Sequence, residues 1–372
     1  MKISLVKEPN KNMKIAILLA YESIPFEGVV RPFINWTHEL KNRNYDIEFL
    51  LVNVGRQIAE HLLESGLNLF NFDNPKDLSH FCIKKHYDLI FADDYIERLK
   101  ILDKVNGNFR KAVYCQVLYG IHAISVGPKS SSLKERLMFS IVRLVPFSMF
   151  RGRYTKFLKK ADIVIANSKI TATLLHILYG IEPNGIVYPP LDTSIFRPRN
   201  MEKKRQVLLY LGSHAGDTDE NFVIEICKVL RAKDFKIFVL GNAILKEKLQ
   251  KKFEIHSISG VSDEELSNIY SQSKLTVCPQ EWEQFGYVAV ESMACGTPVL
   301  GFDYTGLAES IINKKTGWLA KNKQEFLEVL NSILGNEEIQ IDQDLIRRHV
   351  EENFSINASV KKLKELLEVM SN

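Results

Sequence analysis

The stretch Cys278-Pro279-Gln280-Glu281-Trp282-Glu283-Gln284-Phe285-Gly286-Tyr287-Val288-Ala289-Val290-Glu291-Ser292-Met293-Ala294-Cys295-Gly296-Thr297-Pro298-Val299-Leu300 reads as three pieces in succession. It begins as a polar loop, turns helical near Phe285-Gly286 and ends that helix at Gly296, which suits a left-handed C-cap. Thr297 to Phe302 then reads as a buried strand. Glu283 falls in the loop and Glu291 in the helix, eight residues apart. With the helix starting near Gly286, Glu291 lies roughly 8 Å further along the axis, at about 1.5 Å per residue. Free backbone N–H groups at that helix start favour an anion between the two carboxylates. A sugar at one carboxylate, a diphosphate at the helix start and a ribose at the other fit this layout.

At 372 residues the chain is long enough for two domains, and its core needs no disulfides. Apolar content of 45% and charged content of 25% are ordinary for a soluble globular protein. A net charge of +4 is too small to argue for nucleic acid, and none is expected as a partner. Cys82, Cys115, Cys227, Cys278 and Cys295 are scattered, odd in number and without CxxC spacing. That speaks against a disulfide framework or a zinc site and for a reducing compartment. The early residues lack an apolar core of signal-peptide length, and no run approaches a bilayer span. The expectation is a soluble cytoplasmic protein.

Along the chain, residues 1–12 read as an extension, because the first convincing strand is Met13 to Ala20. Apolar runs at Ile47–Val54, Asp88–Ala92, Lys111–Leu118 and Asp162–Ala166 read as buried parallel strands, with helical periodicity between them. Such alternation predicts an α/β sheet wound on both sides. Ligands bind beyond the carboxyl ends of such strands. The loop at Tyr21 to Pro32, with Gly28, and the one at Tyr119 to His122 therefore face the cleft. His122 is a candidate site residue on that ground.

Gly185 to Pro198 reads as the interdomain segment, followed by the polar linker Arg199 to Arg205. A second series of strands is predicted at Val207–Leu211, Lys236–Leu240, Ile255–Ile258, Leu275–Cys278 and Val299–Phe302. Asn353 to Met370 reads as an amphipathic helix able to pack back across the linker. The predicted units are 13–198, 199–355 and a crossing helix over 356–372. Lys129 to Lys160 stands apart, with nine Lys or Arg against the single acid Glu135 and with Phe139, Phe147, Phe150 and Tyr154 interleaved. Such a stretch either lies on an anionic membrane surface or covers the sheet with a solvated basic face.

The order acid, Phe-Gly, acid, Met-Ala-Cys-Gly-Thr-Pro-Val from Glu283 to Val299 resembles the signature of retaining glycosyltransferases of family 4, which have the GT-B fold. Ala161 to Ser168, Tyr188-Pro189-Pro190-Leu191-Asp192, Gly260 to Leu266, Thr305-Gly306-Leu307-Ala308-Glu309 and Asn353-Phe354-Ser355 are similar to further landmarks of that family. The resemblance runs from Met13 onward and is most specific from Gly260 to Leu319. It implies two Rossmann-like domains about a cleft, and transfer of a sugar from a UDP-, GDP- or ADP-sugar to a glycan or lipid-linked acceptor. It implies retained anomeric configuration, and a membrane-bound acceptor would suit the basic stretch. Glu283 would contact donor-sugar hydroxyls and Glu291 the ribose. Phe285, Gly286 and Tyr287 would lie at sugar and phosphate, His122 at the transferred sugar, and Gly28 in the acceptor-side loop.

One departure stands out. The family places Gly-Arg after the first strand of the second domain and a Lys soon after, both gripping the diphosphate. Here the strand runs into Gly212-Ser213-His214, and Thr218 to Glu220 occupy the Lys position. Two missing cations cost several kcal/mol, at about 1.5–3 kcal/mol per charged hydrogen bond, unless His214, the Ser213 hydroxyl or a first-domain base compensates. Asp217-Thr218-Asp219 is a D-x-D, but a solvated acidic turn is the expectation, with no metal and no cofactor beyond the nucleotide-sugar. Two other readings stay open: a GT-B nucleotide-sugar epimerase, and a donor-binding protein without turnover.

Overall fold

The computed structural model describes residues 13–20, 28–119, 146–213, 217–335 and 341–369. The first sheet holds β1 (Lys14–Ala20), β2 (Asp46–Val52), β3 (Leu69–Phe72), β4 (Leu89–Asp93), β5 (Arg110–Cys115), β6 (Ile163–Ala166) and β7 (Gly185–Ile186). All are parallel, in the order β3-β2-β1-β4-β5-β6-β7, with Ile15 opposite Ile47 on one side and Leu89 on the other. Strands such as Ile15 to Ala20 are apolar at every position because helices cover both faces.

The second sheet holds β8 (Gln206–Tyr210), β9 (Lys236–Leu240), β10 (His256–Ser257), β11 (Leu275–Val277), β12 (Val299–Phe302) and β13 (Gly317–Ala320). Its parallel order, β10-β9-β8-β11-β12-β13, repeats the winding of the first sheet. In both, the winding reverses beside the first strand, which puts a ligand crevice at the carboxyl ends there. The α/β, two-sheet GT-B expectation holds. Strands β3, β7 and β13 lay outside the sequence reading.

The described helices are α1 (Arg31–Asn42), α2 (Arg56–Glu64), α3 (Pro75–Lys85), α4 (Ile96–Lys104), α5 (Phe147–Leu158), α6 (Lys169–Leu174, extended by a wider turn over Leu175–Tyr179) and α7 (Glu220–Ala232). After them come α8 (Ala243–Gln250), α9 (Asp263–Gln272), α10 (Tyr287–Ala294), α11 (Leu307–Ser310), α12 (Lys323–Gly335), α13 (Gln343–Phe354) and α14 (Ile356–Val369).

The C-terminal helix expected over Asn353 to Met370 is α14, which starts at Ile356, because Asn353 and Phe354 end the preceding α13. Ser355 is extended and separates the two, and its neighbours pair with the interdomain segment: Leu191 N–H donates to Phe354 O at 2.8 Å, and Ile356 N–H to Leu191 O at 3.1 Å. α14 then returns to the first domain, where Val360, Leu363 and Leu367 join the core formed by Ile15, Phe33 and Trp36. The buried Trp36 indole donates to Ser359 Oγ at 2.8 Å, and Ser359 donates to Tyr188 O at 2.6 Å. The expected polar linker is not loose: Arg199 reaches Glu264 and Ile195 O, and Lys203 reaches Thr297 on the second domain. In α5 the aromatics Phe150 and Tyr154 are buried while Arg151, Arg153 and Lys156 are exposed, so over 147–158 the stretch covers the sheet. Residues 129–145 of that stretch lie outside the described residues. All five cysteines are buried and unpaired, and no described helix is long and apolar enough to cross a membrane.

Candidate active site

The loop between β11 and α10 carries Glu283, and three neighbours fix it. Gln280 Nε2 donates to Tyr210 O at 2.7 Å, Glu281 N–H to Asp217 O at 3.1 Å, and Gly306 N–H to Glu283 O at 2.7 Å. Gly286, at φ +88°, provides the left-handed turn into α10, and a Cβ there would lie 2.5 Å from Leu307. α10 starts at Tyr287, so Glu291 lies about 6 Å along its axis.

The Glu283 carboxylate accepts from Gln284 N–H at 3.0 Å and Phe285 N–H at 3.3 Å. These two donors are therefore not free for an outside anion, which corrects the expectation; the carboxylate that precedes them takes them. Burial pushes the Glu283 carboxyl above its ordinary value, the Phe285 amide pulls it back, and Asp217 raises it again. Gly212 brings Asp217 close, with Asp217 Oδ2 2.6 Å from where a Cβ would stand, and Ser213 Oγ lies 3.2 Å from Tyr210 Oη. Gly212, Ser213, Phe285, Gly286 and Glu283 thus share one end of the crevice.

Glu291 forms the other end. It is buried and accepts at both oxygens: from Tyr270 Oη at 3.0 Å on Oε2, and from Arg31 Nη1 at 2.6 Å on Oε1. Arg31 is the first residue of α1, three after Gly28, which takes φ +100° to turn the chain into that helix. Its guanidinium also reaches Asp263 at 3.2 Å and sits over the rings of Tyr287 and Phe196, at 5.2 and 5.3 Å from their centroids. Asp263 is placed by the capping box in which Ser262 and Glu265 satisfy each other's backbone amides at the start of α9. Burial opposes the charge on Arg31, but Glu291, Tyr287 and Asp263 outweigh it and raise its pKa. Sequence reasoning missed Arg31, although a base just after Gly28 at a helix start was visible. A second bridge joins the domains at Glu309, which accepts from Lys169 N–H at 2.7 Å, Ile170 N–H at 2.8 Å and Tyr188 Oη at 3.1 Å.

His122 and His214 lie outside the described residues. Asp219 caps α7, accepting from Asn221 and Phe222 N–H groups, and pairs with Lys323 at 2.8 Å; Lys323 also meets Glu281 at 3.0 Å. Asp219 is thereby committed to a helix start and a lysine, whereas Asp217 and Thr218 are buried, which corrects the expected solvated turn; the Thr218 hydroxyl donates to Leu211 O at 2.9 Å. Among the described residues no group of three or more His, Cys, Asp or Glu is placed to hold a metal.

Residues 192–368 match the profile of the family described as glycosyl transferases group 1. That segment, just under half of the chain, is a group 1 glycosyltransferase domain. It carries both glutamates, α10 and the Gly212 turn. The D-inositol 3-phosphate glycosyltransferase of Rhodococcus erythropolis is 29% identical over 193 residues, 44% of this chain and 43% of that protein. An uncharacterized glycosyltransferase of Methanocaldococcus jannaschii is 25% identical over 172 residues, 44% of this chain and 48% of the other. The chain thus spans about half the length of these curated relatives. Among solved structures, a glycosyltransferase from Rickettsia africae superposes with a TM-score of 0.72 at 16% identity, over 97% of this chain and 99% of that one. Anabaena HepE in complex with UDP and glucose superposes at 0.71 and 15% identity, over 96% and 100%. The group 1 domain and the sheet ahead of it therefore share one GT-B architecture with these proteins.

Proposed function

We propose that the protein transfers a sugar from a nucleotide-sugar to a glycan or lipid-linked acceptor with retention of configuration. One observation carries this reading: Glu283 and Glu291 flank the start of α10 at the carboxyl ends of the second sheet, and the first domain's α1 closes on the same place. Glu283 takes the sugar end and Glu291 the ribose end. The diphosphate lies at Tyr287, where the helix start favours negative charge. As the C1–oxygen bond to the diphosphate breaks, negative charge grows on the phosphate and an oxocarbenium-like sugar forms. Fixed donors at the phosphate therefore lower the barrier more than they aid binding. UDP is the first base to test, because Anabaena HepE, of the same fold, is in complex with UDP. The acceptor enters from the Gly28 side, with His122 at the transferred sugar. Exposed Arg151, Arg153 and Lys156 beside exposed Met149 support the reading of a cytoplasmic protein that docks on an anionic membrane surface.

A thermal-shift panel of UDP-, GDP- and ADP-sugars tests the reading, since a bound ligand stabilises by RT ln(1 + [L]/Kd). One donor should shift the melt, and its turnover should vanish in Glu283→Ala. Conversion of the donor to an isomer with no acceptor present would instead make the protein an epimerase. Binding without any turnover would make it a donor-binding protein.

A further inference from the structure

The family grip on the diphosphate lacks its arginine here, because Ser213 stands in its place with its hydroxyl turned to Tyr210. A cation beside the helix start comes from the other domain. Arg31 lies over the Tyr287 ring, at the first residue of α10, while holding Oε1 of Glu291. A ribose at Glu291 would compete with contacts already made there: each carboxylate oxygen accepts one hydrogen bond, from Tyr270 on Oε2 and from Arg31 on Oε1.

We propose that Arg31 is a donor-exchanged arginine: the ribose displaces it from Glu291, and its guanidinium turns to the diphosphate at the start of α10. The reading rests on the proposed donor site. The distance is short, since Tyr287 and Glu291 are four residues apart, about 6 Å along the helix. The guanidinium already lies beside Tyr287, and its second partner, Asp263, is a half-exposed carboxylate that holds it loosely. For Arg31 the exchange replaces one anionic partner by another, while the buried Glu291 keeps the Tyr270 hydroxyl and gains those of the ribose. In the transfer step the C1–oxygen bond breaks with its electron pair going to the phosphate. The acceptor oxygen bonds to C1, and the acceptor proton passes to the departing phosphate. Arg31 keeps its own proton throughout and stabilises the growing charge. Because it belongs to α1 of the first domain, the diphosphate is complete only when the two domains meet.

The test compares a nucleoside with its diphosphate, because the two halves of the exchange have opposite signs. Calorimetry measures uridine and UDP, guanosine and GDP, and adenosine and ADP on the full chain, wild type, Arg31→Gln and Arg31→Lys. In Arg31→Gln the nucleoside should bind at least as tightly as to wild type, with its competitor gone. The diphosphate should weaken by roughly 10- to 100-fold, the scale of one charged hydrogen bond. Arg31→Lys should recover part of the diphosphate affinity, and kcat should follow the same order. Equal changes in nucleoside and diphosphate, with no rescue by Lys, would make Arg31 only an interdomain strut and overturn the proposal. If the wild type binds none of the six, the donor site itself fails, and the proposal with it.

Discussion

Gly306→Ala isolates the contact that sets the position of Glu283. Gly306 has φ −57° and ψ −17°, a conformation alanine adopts without strain, so the substitution acts through space alone. A Cβ there would stand 2.3 Å from the carbonyl carbon and oxygen of Gln284 and 2.6 Å from Phe285 N, where ordinary contact begins at 3.4 Å. The obstacle is backbone, so no rotamer change relieves it. The Glu283–Phe285 loop must retreat by about 1 Å or the Gly306 N–H bond to Glu283 O at 2.7 Å must break. Overpacking of this kind costs about 1–3 kcal/mol, and a displacement of about 1 Å at a reacting group costs about 100-fold in rate. Gly301→Ala is the matched control. Its Cβ would lie 2.5 Å from Leu307 Cδ1, the end of a flexible side chain that can turn away. The assay is a urea midpoint and an initial rate with the donor found in the thermal-shift panel. The expected order is wild type, then Gly301→Ala, then Gly306→Ala, for both readouts. Wild-type rate and midpoint in Gly306→Ala would refute the placement of the loop.

Three further outcomes follow from the described contacts. Burial holds the Lys203 ammonium down to about 8 from its ordinary 10.5, so between those values the unfolded chain binds a proton that the folded chain does not. Stability should therefore rise with pH across that window, and Lys203→Met should remove the rise, as read from melts at pH 7.5 to 10; an unchanged slope would contradict it. Glu309→Ala strips the acceptor from two backbone amides and Tyr188 Oη. It should lower the urea midpoint by the equivalent of about 1–3 kcal/mol and speed proteolysis near the interdomain segment, and an unaltered digestion pattern would count against the bridge. With Asp219 bound to its helix start and Lys323, EDTA should leave transfer unchanged; a loss restored by Mg²⁺ or Mn²⁺ would show that a metal serves the diphosphate.

Much of the architecture was legible because burial on both faces writes nearly continuous apolar runs, as in Ile15 to Ala20 and Val207 to Leu209. Strands that escaped were short or partly exposed: Leu69–Phe72 carries an exposed asparagine, and Gly185–Ile186 has only two residues. The break between α13 and α14 had a signal in Ser355, whose hydroxyl accepts from Ala358 N–H, but no Gly or Pro marks it, so periodicity ran across it. The site was legible where one segment holds it. Glu283, Gly286 and Glu291 lie within nine consecutive residues, and local helix geometry relates them. Arg31 lies 260 positions from Glu291, and Lys323 lies 104 from Asp219. Spacing along the chain carries no trace of those pairings, which arise only once two sheets have folded and closed. The carboxylate of Glu283 turning onto its own amides was hidden for a different reason: it is a rotamer choice made by packing.

The central claim is that two glutamates divide one donor between them, and steady-state kinetics of Glu283→Gln and Glu291→Gln test it most directly. With the sugar end at Glu283, its variant should lose about 100-fold in kcat with donor KM nearly unchanged. With the ribose end at Glu291, its variant should raise donor KM about tenfold or more while kcat falls far less. Matching defects in both variants, or kcat/KM within twofold of wild type in either, would contradict the division of the site.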